Sequence, residues 1–116
     1  MKKRPFAYVS APWSGNEAEN IENAAKYSRI AYEAGLTPLC PYLLFPPYIR
    51  ETVAEELKDM KDMSRELLKR SAVLIVCGNV RDESVLGDIA TAKRRGITTT
   101  TLDGLLIGKE ARRRRD

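Results

Sequence analysis

Two short segments hold the residue types that do chemistry. The first is Ser10-Ala11-Pro12-Trp13-Ser14-Gly15, which breaks off the apolar run beginning at Phe6. The second runs from Gly78-Asn79 through Asp82, Ser84 and Val85 to Asp88, and follows Ala72-Val-Leu-Ile-Val76. Each reads as the end of a buried strand, a loop of small or polar residues, and the start of a helix. Open parallel sheets gather their ligands at such strand ends. The small residues of the first loop admit a ligand close to the backbone, and the helix that follows turns its positive N-terminus toward an anion. The first loop is neither the glycine-rich dinucleotide fingerprint nor a P-loop, because the glycine spacing and the Gly-Lys-Ser/Thr ending are missing. A different nucleotide-type pocket is indicated, with Ser10, Ser14, Gly15, Asp82, Ser84 and Asp88 converging on one cleft and Gly78 and Asn79 at its rim.

The chain contains no histidine, so a Ser-His-Asp or Cys-His nucleophile is excluded. Acid-base chemistry falls to carboxylates, tyrosines, lysines or water. Cys40 and Cys77 each close an expected strand, and two thiols without histidine do not make a zinc site. Both are read as reduced and buried. No metal or organic cofactor is expected.

The elements that position these residues follow from periodicity. Ile21, Ala24, Ala25, Ser28, Ala31 and Tyr32 recur at helical spacing, which predicts an amphipathic helix over 18–34 closed by Gly35. Residues 36–40 return as a second strand, and Pro41, Pro46 and Pro47 are read as stopping any regular continuation, which leaves Tyr42 to Phe45 as an apolar, aromatic loop. Val53, Leu57, Met60, Leu67 and Leu68 predict a second helix over 50–70, with Ser64 on the same face. Residues 71–77 form the clearest strand, apolar enough to be buried on both faces. A third helix over 84–95 ends at Gly96, and 97–102 supplies a threonine-rich strand. Strands alternating with helices predict an α/β, three-layer Rossmann-like (flavodoxin-like) domain with a mostly parallel sheet of four or five strands.

With 116 residues, 43% hydrophobic and 31% charged, the chain fits one domain over 1–108 and a basic tail over 109–116. The net charge of +4 is uneven: five basic and two acidic residues stand in that tail, and Lys2, Lys3 and Arg4 cluster at the other end. The body lacks a basic excess, so specific nucleic-acid binding is not expected, and the tail reads as a solvated, disordered run. No apolar stretch approaches about eighteen residues and the start does not read as a signal peptide, so neither a membrane span nor export is expected and the location is read as cytoplasmic.

Tyr8-Val-Ser-Ala-Pro-Trp-Ser-Gly15, Asn20 with Ala24 and Tyr27, Gly35-Leu-Thr-Pro38 and the loop ending Leu44-Phe-Pro46 together resemble the nucleoside 2-deoxyribosyltransferase and 2′-deoxynucleoside 5′-phosphate N-hydrolase superfamily. Its small phage and bacterial branch is the nearest pattern, and the likeness spans residues 5 to about 104. The resemblance implies an enzyme acting on an N-glycosidic bond through a carboxylate nucleophile. Aligned on Ile89, Ala92 and Gly96, the superfamily's glutamate falls on Asp88, one methylene shorter. Ser84 stands where the motif has glycine, Val85 where it has methionine and Tyr42 where it has histidine. The same resemblance makes Tyr8 a border of the sugar and places an acid on the second helix, where Ser64 occupies the slot and Asp62 is the carboxylate nearby. Trp13 and Tyr42 are candidates to stack on a base. The implied partners are a nucleoside or nucleotide and further copies of the chain, as a homodimer or larger homo-oligomer. The alternative on the same scaffold is a protein that binds a nucleotide without cleaving it.

Overall fold

The computed structural model describes residues 3–12, 16–78 and 81–107. Chain order is β1 (Phe6–Ser10), α1 (Glu17–Glu33), β2 (Thr37–Leu39), α2 (Pro41–Leu44), α3 (Ala54–Lys69), β3 (Val73–Val76), α4 (Glu83–Arg95) and β4 (Thr98–Thr101). The strands form a four-stranded sheet in the order β2-β1-β3-β4, with every pairing parallel. β1 lies centrally, and Ser10 at its end is in register with Val76 of β3.

Alternation along the strands divides the core into two layers. Ala7, Val9, Ala11, Ile75 and Cys77 pack with Ala24 and Ala31 of α1 on one face of the sheet. Tyr8, Leu74 and Val76 pack with Leu68 of α3 and with Val85 and Ala92 of α4 on the other. The expected three-layer α/β arrangement is present, with a fully parallel sheet. Both cysteines are free and buried, and burial pushes the Cys40 thiol up to about 11 and the Cys77 thiol up to about 12.

Local chemistry sets the helix ends. Asn16 caps α1 by accepting from the Glu19 amide at 3.0 Å, and Gly35, at φ +91°, lets the Leu36 amide bond back to Ala31 O at 3.1 Å. α4 repeats the pattern: Asp82 caps its start, while Gly96 at φ +69° lets the Ile97 amide reach Ala92 O at 2.9 Å.

Three local expectations are corrected. Pro41 starts the one-turn helix α2 instead of stopping regular structure, because the first helical position has no use for the missing N–H. α3 begins at Ala54 rather than near 50, since residues 51–53 form a turn and Val53 takes an extended conformation at the helix start. Leu102, expected to end the last strand, and residues 103–107, for which no element was expected, are helical. Thr101 Oγ1 accepts from the Gly104 amide at 3.0 Å at the start of that stretch, and Leu102 and Leu105 pack on the α1 side of the core.

Candidate active site

A cleft of about 970 Å3 opens at the carboxyl end of β1, walled by α3 and α4. Two helical stripes build it. Leu57, Lys61, Ser64 and Arg65 follow one another at steps of four, three and one residues on α3, and Ser84, Gly87, Asp88 and Thr91 at steps of three, one and three on α4, so each set shares a helix face. Val85, Ile89 and Ala92, on the opposite flank of α4, anchor that helix to the sheet. Asp88 is thereby held over the end of β1, where Ser10 Oγ donates to Asp88 Oδ2 at 2.6 Å.

The surroundings of Asp88 decide its charge. Burial pushes its carboxyl up to about 6, against the pull of the Ser10 hydrogen bond and the Arg65 guanidinium, while Asp82 pushes further up. It is therefore mostly ionised at neutral pH yet poorly hydrated, which suits a carboxylate nucleophile or a base. Tyr8 lies on the cleft floor, only 3% exposed. Its phenol is held well above the ordinary range by burial and then by Asp88, with a hydrogen bond from Ser64 opposing. Tyr8 and Tyr42 are thus neutral hydrogen-bonding groups. Tyr42 OH donates to Ala11 O at 2.9 Å and ties α2 to the end of β1.

Of the residues singled out from sequence, Tyr8, Ser10, Ala11, Tyr42, Asp82, Ser84 and Asp88 line the cleft together. Asp82 has a further task, because its Oδ1 accepts from the amides of Ser84 at 2.9 Å and Val85 at 3.4 Å. The start of α4 thus already holds a carboxylate of its own. Val85 is fully buried in the core, below the lining. Gly78, at φ +75°, packs against the first loop instead: a Cβ there would stand 3.0 Å from Pro12 Cδ, and neither residue is in the cleft wall. Asp62 is not brought to the cleft. It is exposed, two residues and about 200° around the helix from Ser64, which does line it. Trp13, Ser14, Gly15 and Asn79 lie outside the described residues.

Among the cleft residues that escaped the sequence reading are Glu51, Lys61, Arg65, Glu83, Thr91 and Arg94. The α3 pair was discoverable, since Lys61 and Arg65 share a helical stripe with Leu57. Thr91 follows Asp88 by three positions, and Arg94 donates to Thr91 Oγ1 at 3.2 Å one turn further along. Glu51 carried no periodic signal, because it sits in the irregular stretch before α3.

Comparison with known proteins agrees with this frame. The model of a family described as Domain of unknown function (DUF7768) matches residues 5–102. None of the curated proteins compared with the chain is a significant match. Among solved structures, the 2-deoxyribosyltransferase of the psychrotolerant bacterium Bacillus psychrosaccharolyticus superposes with a TM-score of 0.69 at 14% sequence identity, over 83% of this chain and 70% of that one. At that identity the likeness establishes a shared fold.

Proposed function

The chain belongs to the DUF7768 family, and on that frame we propose that it cleaves or exchanges the N-glycosidic bond of a nucleoside or nucleotide, with Asp88 as nucleophile. The observation that carries this is the desolvated carboxylate of Asp88, fixed by Ser10 on the floor of a cleft at the strand ends. The matching fold of a 2-deoxyribosyltransferase supports the substrate class. In the step proposed, Asp88 bonds to the anomeric carbon as the carbon–nitrogen bond breaks. The base leaves with the bonding electrons and takes a proton from solvent. Water or a second base then attacks the same carbon, loses its proton to solvent and frees the carboxylate. Tyr8 and Ser64 border the sugar, Tyr42 borders the base, and Ser84 lies beside the reacting end. Lys61, Arg65 and Arg94 line the cleft as positive charge for an anionic group such as a phosphate. The chain's own groups suffice for this step, without a metal or organic cofactor. Gly87 and Ala90 line the cleft and are exposed, and a second copy of the chain is proposed to cover it there.

Base release from a panel of deoxynucleosides and their 5′-monophosphates, separated by liquid chromatography, tests the proposal. Release by the native chain and none by Asp88→Asn is expected. A native chain that releases no base from any of them would overturn it.

One observation favours a second reading, binding without cleavage. The short Asp88 side chain is already engaged at 2.6 Å by Ser10, and aspartate reaches one methylene less far than glutamate. Retention of nucleotides without base release, unchanged in Asp88→Glu, would establish that reading.

A further inference from the structure

Glu51 lines the same cleft from the stretch between α2 and α3. Its Oε1 is shielded from solvent and accepts no hydrogen bond. The neighbouring cation does not serve it: Arg50 is turned to Glu56, with Nε 3.9 Å from Oε2 and the Arg50 amide donating to Oε1 at 3.0 Å. Tyr42, another wall of the cleft, points its hydroxyl at Ala11 O. Burial and the charge of Glu17 both disfavour the ionised form of Glu51. A buried acceptor left without a donor is costly, and a ligand whose donors draw the carboxylate round into the cleft removes that cost.

We propose that Glu51 is a base-reading residue whose carboxylate accepts the ring N–H and the adjacent amino N–H of a guanine-type edge. A carboxylate offers two acceptors side by side and no donor. Among the common bases, guanine alone presents two adjacent donors, N1–H and the 2-amino group. Adenine and cytosine place an acceptor beside their amino group, and thymine flanks its one N–H with carbonyls. Each of these sets a lone pair against a carboxylate oxygen. Tyr42, Leu57 and Met60 line the cleft as well and supply apolar surface for the flat face of the base. The start of α4 is filled by Asp82, so the free acceptor at Glu51 is a feature of the cleft distinct from that helix end.

This inference rests on the nucleoside reading of the cleft, and its test separates the two. Calorimetry on the full chain carrying Asp88→Asn, which cannot turn over, would compare deoxyguanosine, deoxyinosine and deoxyadenosine and their 5′-monophosphates. Deoxyinosine keeps N1–H and lacks only the 2-amino group. Guanine is expected to bind at least about tenfold more tightly than hypoxanthine or adenine, the low end for a hydrogen bond to a charged acceptor. Adding Glu51→Gln should bring that ratio close to one, since a carboxamide offers one acceptor and one donor. Binding of all three bases with equal affinity, or a guanine preference undiminished in folded Glu51→Gln, overturns the role of Glu51 and leaves the nucleoside reading standing. Binding of none overturns both. Should Glu51→Gln not fold, the guanine-to-hypoxanthine ratio of the parent chain still decides, a ratio near one being the refuting result.

Discussion

Asp88 illustrates how one residue trades stability for chemistry. Its carboxyl is raised to about 6 by burial, against about 3.9 in an unfolded chain. Between those values the folded state holds a proton that the unfolded state releases. The stabilising contribution is therefore full below about pH 4 and lost as pH rises through about 6. Asp88→Asn should accordingly stabilise the protein at pH 7 to 8 by about 1–3 kcal/mol, an advantage that shrinks in acid, as thermal or denaturant unfolding across pH would show. A variant no more stable than its parent at pH 8 would mean that Asp88 is better solvated than its position implies. Catalysis should depend on the same ionisation, so kcat/KM for base release is expected to rise with pH to a plateau above about 6. Arg65 pulls the Asp88 carboxyl down, so Arg65→Ala should move the rising limb to higher pH. A limb that stays in place would show that Arg65 does not act on Asp88.

At the scale of elements, α4 is the part that converts fold into site, because its core flank grips the sheet while its other flank presents Ser84, Asp88 and Thr91. Its start is held by Asp82, which occupies two amides that an anionic ligand would otherwise meet. Asp82→Ala should destabilise by about 1 kcal/mol through loss of the cap, lowering the melting temperature by a few degrees. With those amides and one negative charge released, the same variant should also gain affinity for 5′-monophosphates relative to nucleosides. Titration of both ligand classes checks this, and an unchanged ratio would place the phosphate elsewhere. The ends of α1 and α4 were legible in the sequence because capping is local: Asn16 and Gly35, Asp82 and Gly96 act within a few residues of themselves. So was the meeting of Ser10 with Asp88, through the rule that parallel strands deliver their loops to one edge. Pro41 is ambiguous in the sequence because proline both ends and begins helices, and the surrounding residues decide which. The helix over 102–107 is not legible in the sequence, because Leu102 and Leu105 form too short a pattern to distinguish from a strand ending. Glu51 had no local signature, since only the turn before α3 brings it to the cleft.

For the whole molecule, the sheet order places β1 and β3 centrally with the cleft above β1. Among the described residues no helix is long and apolar enough to cross a membrane. The two halves of the core end differently along the chain. Leu102 and Leu105 close the α1 side, so the folded unit extends at least to that final helical stretch, past the last strand. Beyond it, residues 109–116 carry five basic and two acidic groups and no apolar periodicity. Deleting 109–116 should therefore leave unfolding midpoint, oligomeric state and nucleoside affinity unchanged, whereas deleting from residue 102 onward should lower stability measurably by exposing the face of the sheet that Leu102 and Leu105 cover. The basic run should act only on polyanions. Binding of the intact chain to DNA or RNA is expected to be weak, to fall steeply with added salt, and to disappear with the shorter deletion, as the release of counterions by a few arginines requires. Filter binding or fluorescence polarisation over a salt series would measure this. Sequence-selective binding that resists salt and survives the deletion would place nucleic-acid recognition on the folded body, and the cations of the cleft wall, Lys61, Arg65 and Arg94, would then be the first residues to test for contact with the phosphate backbone.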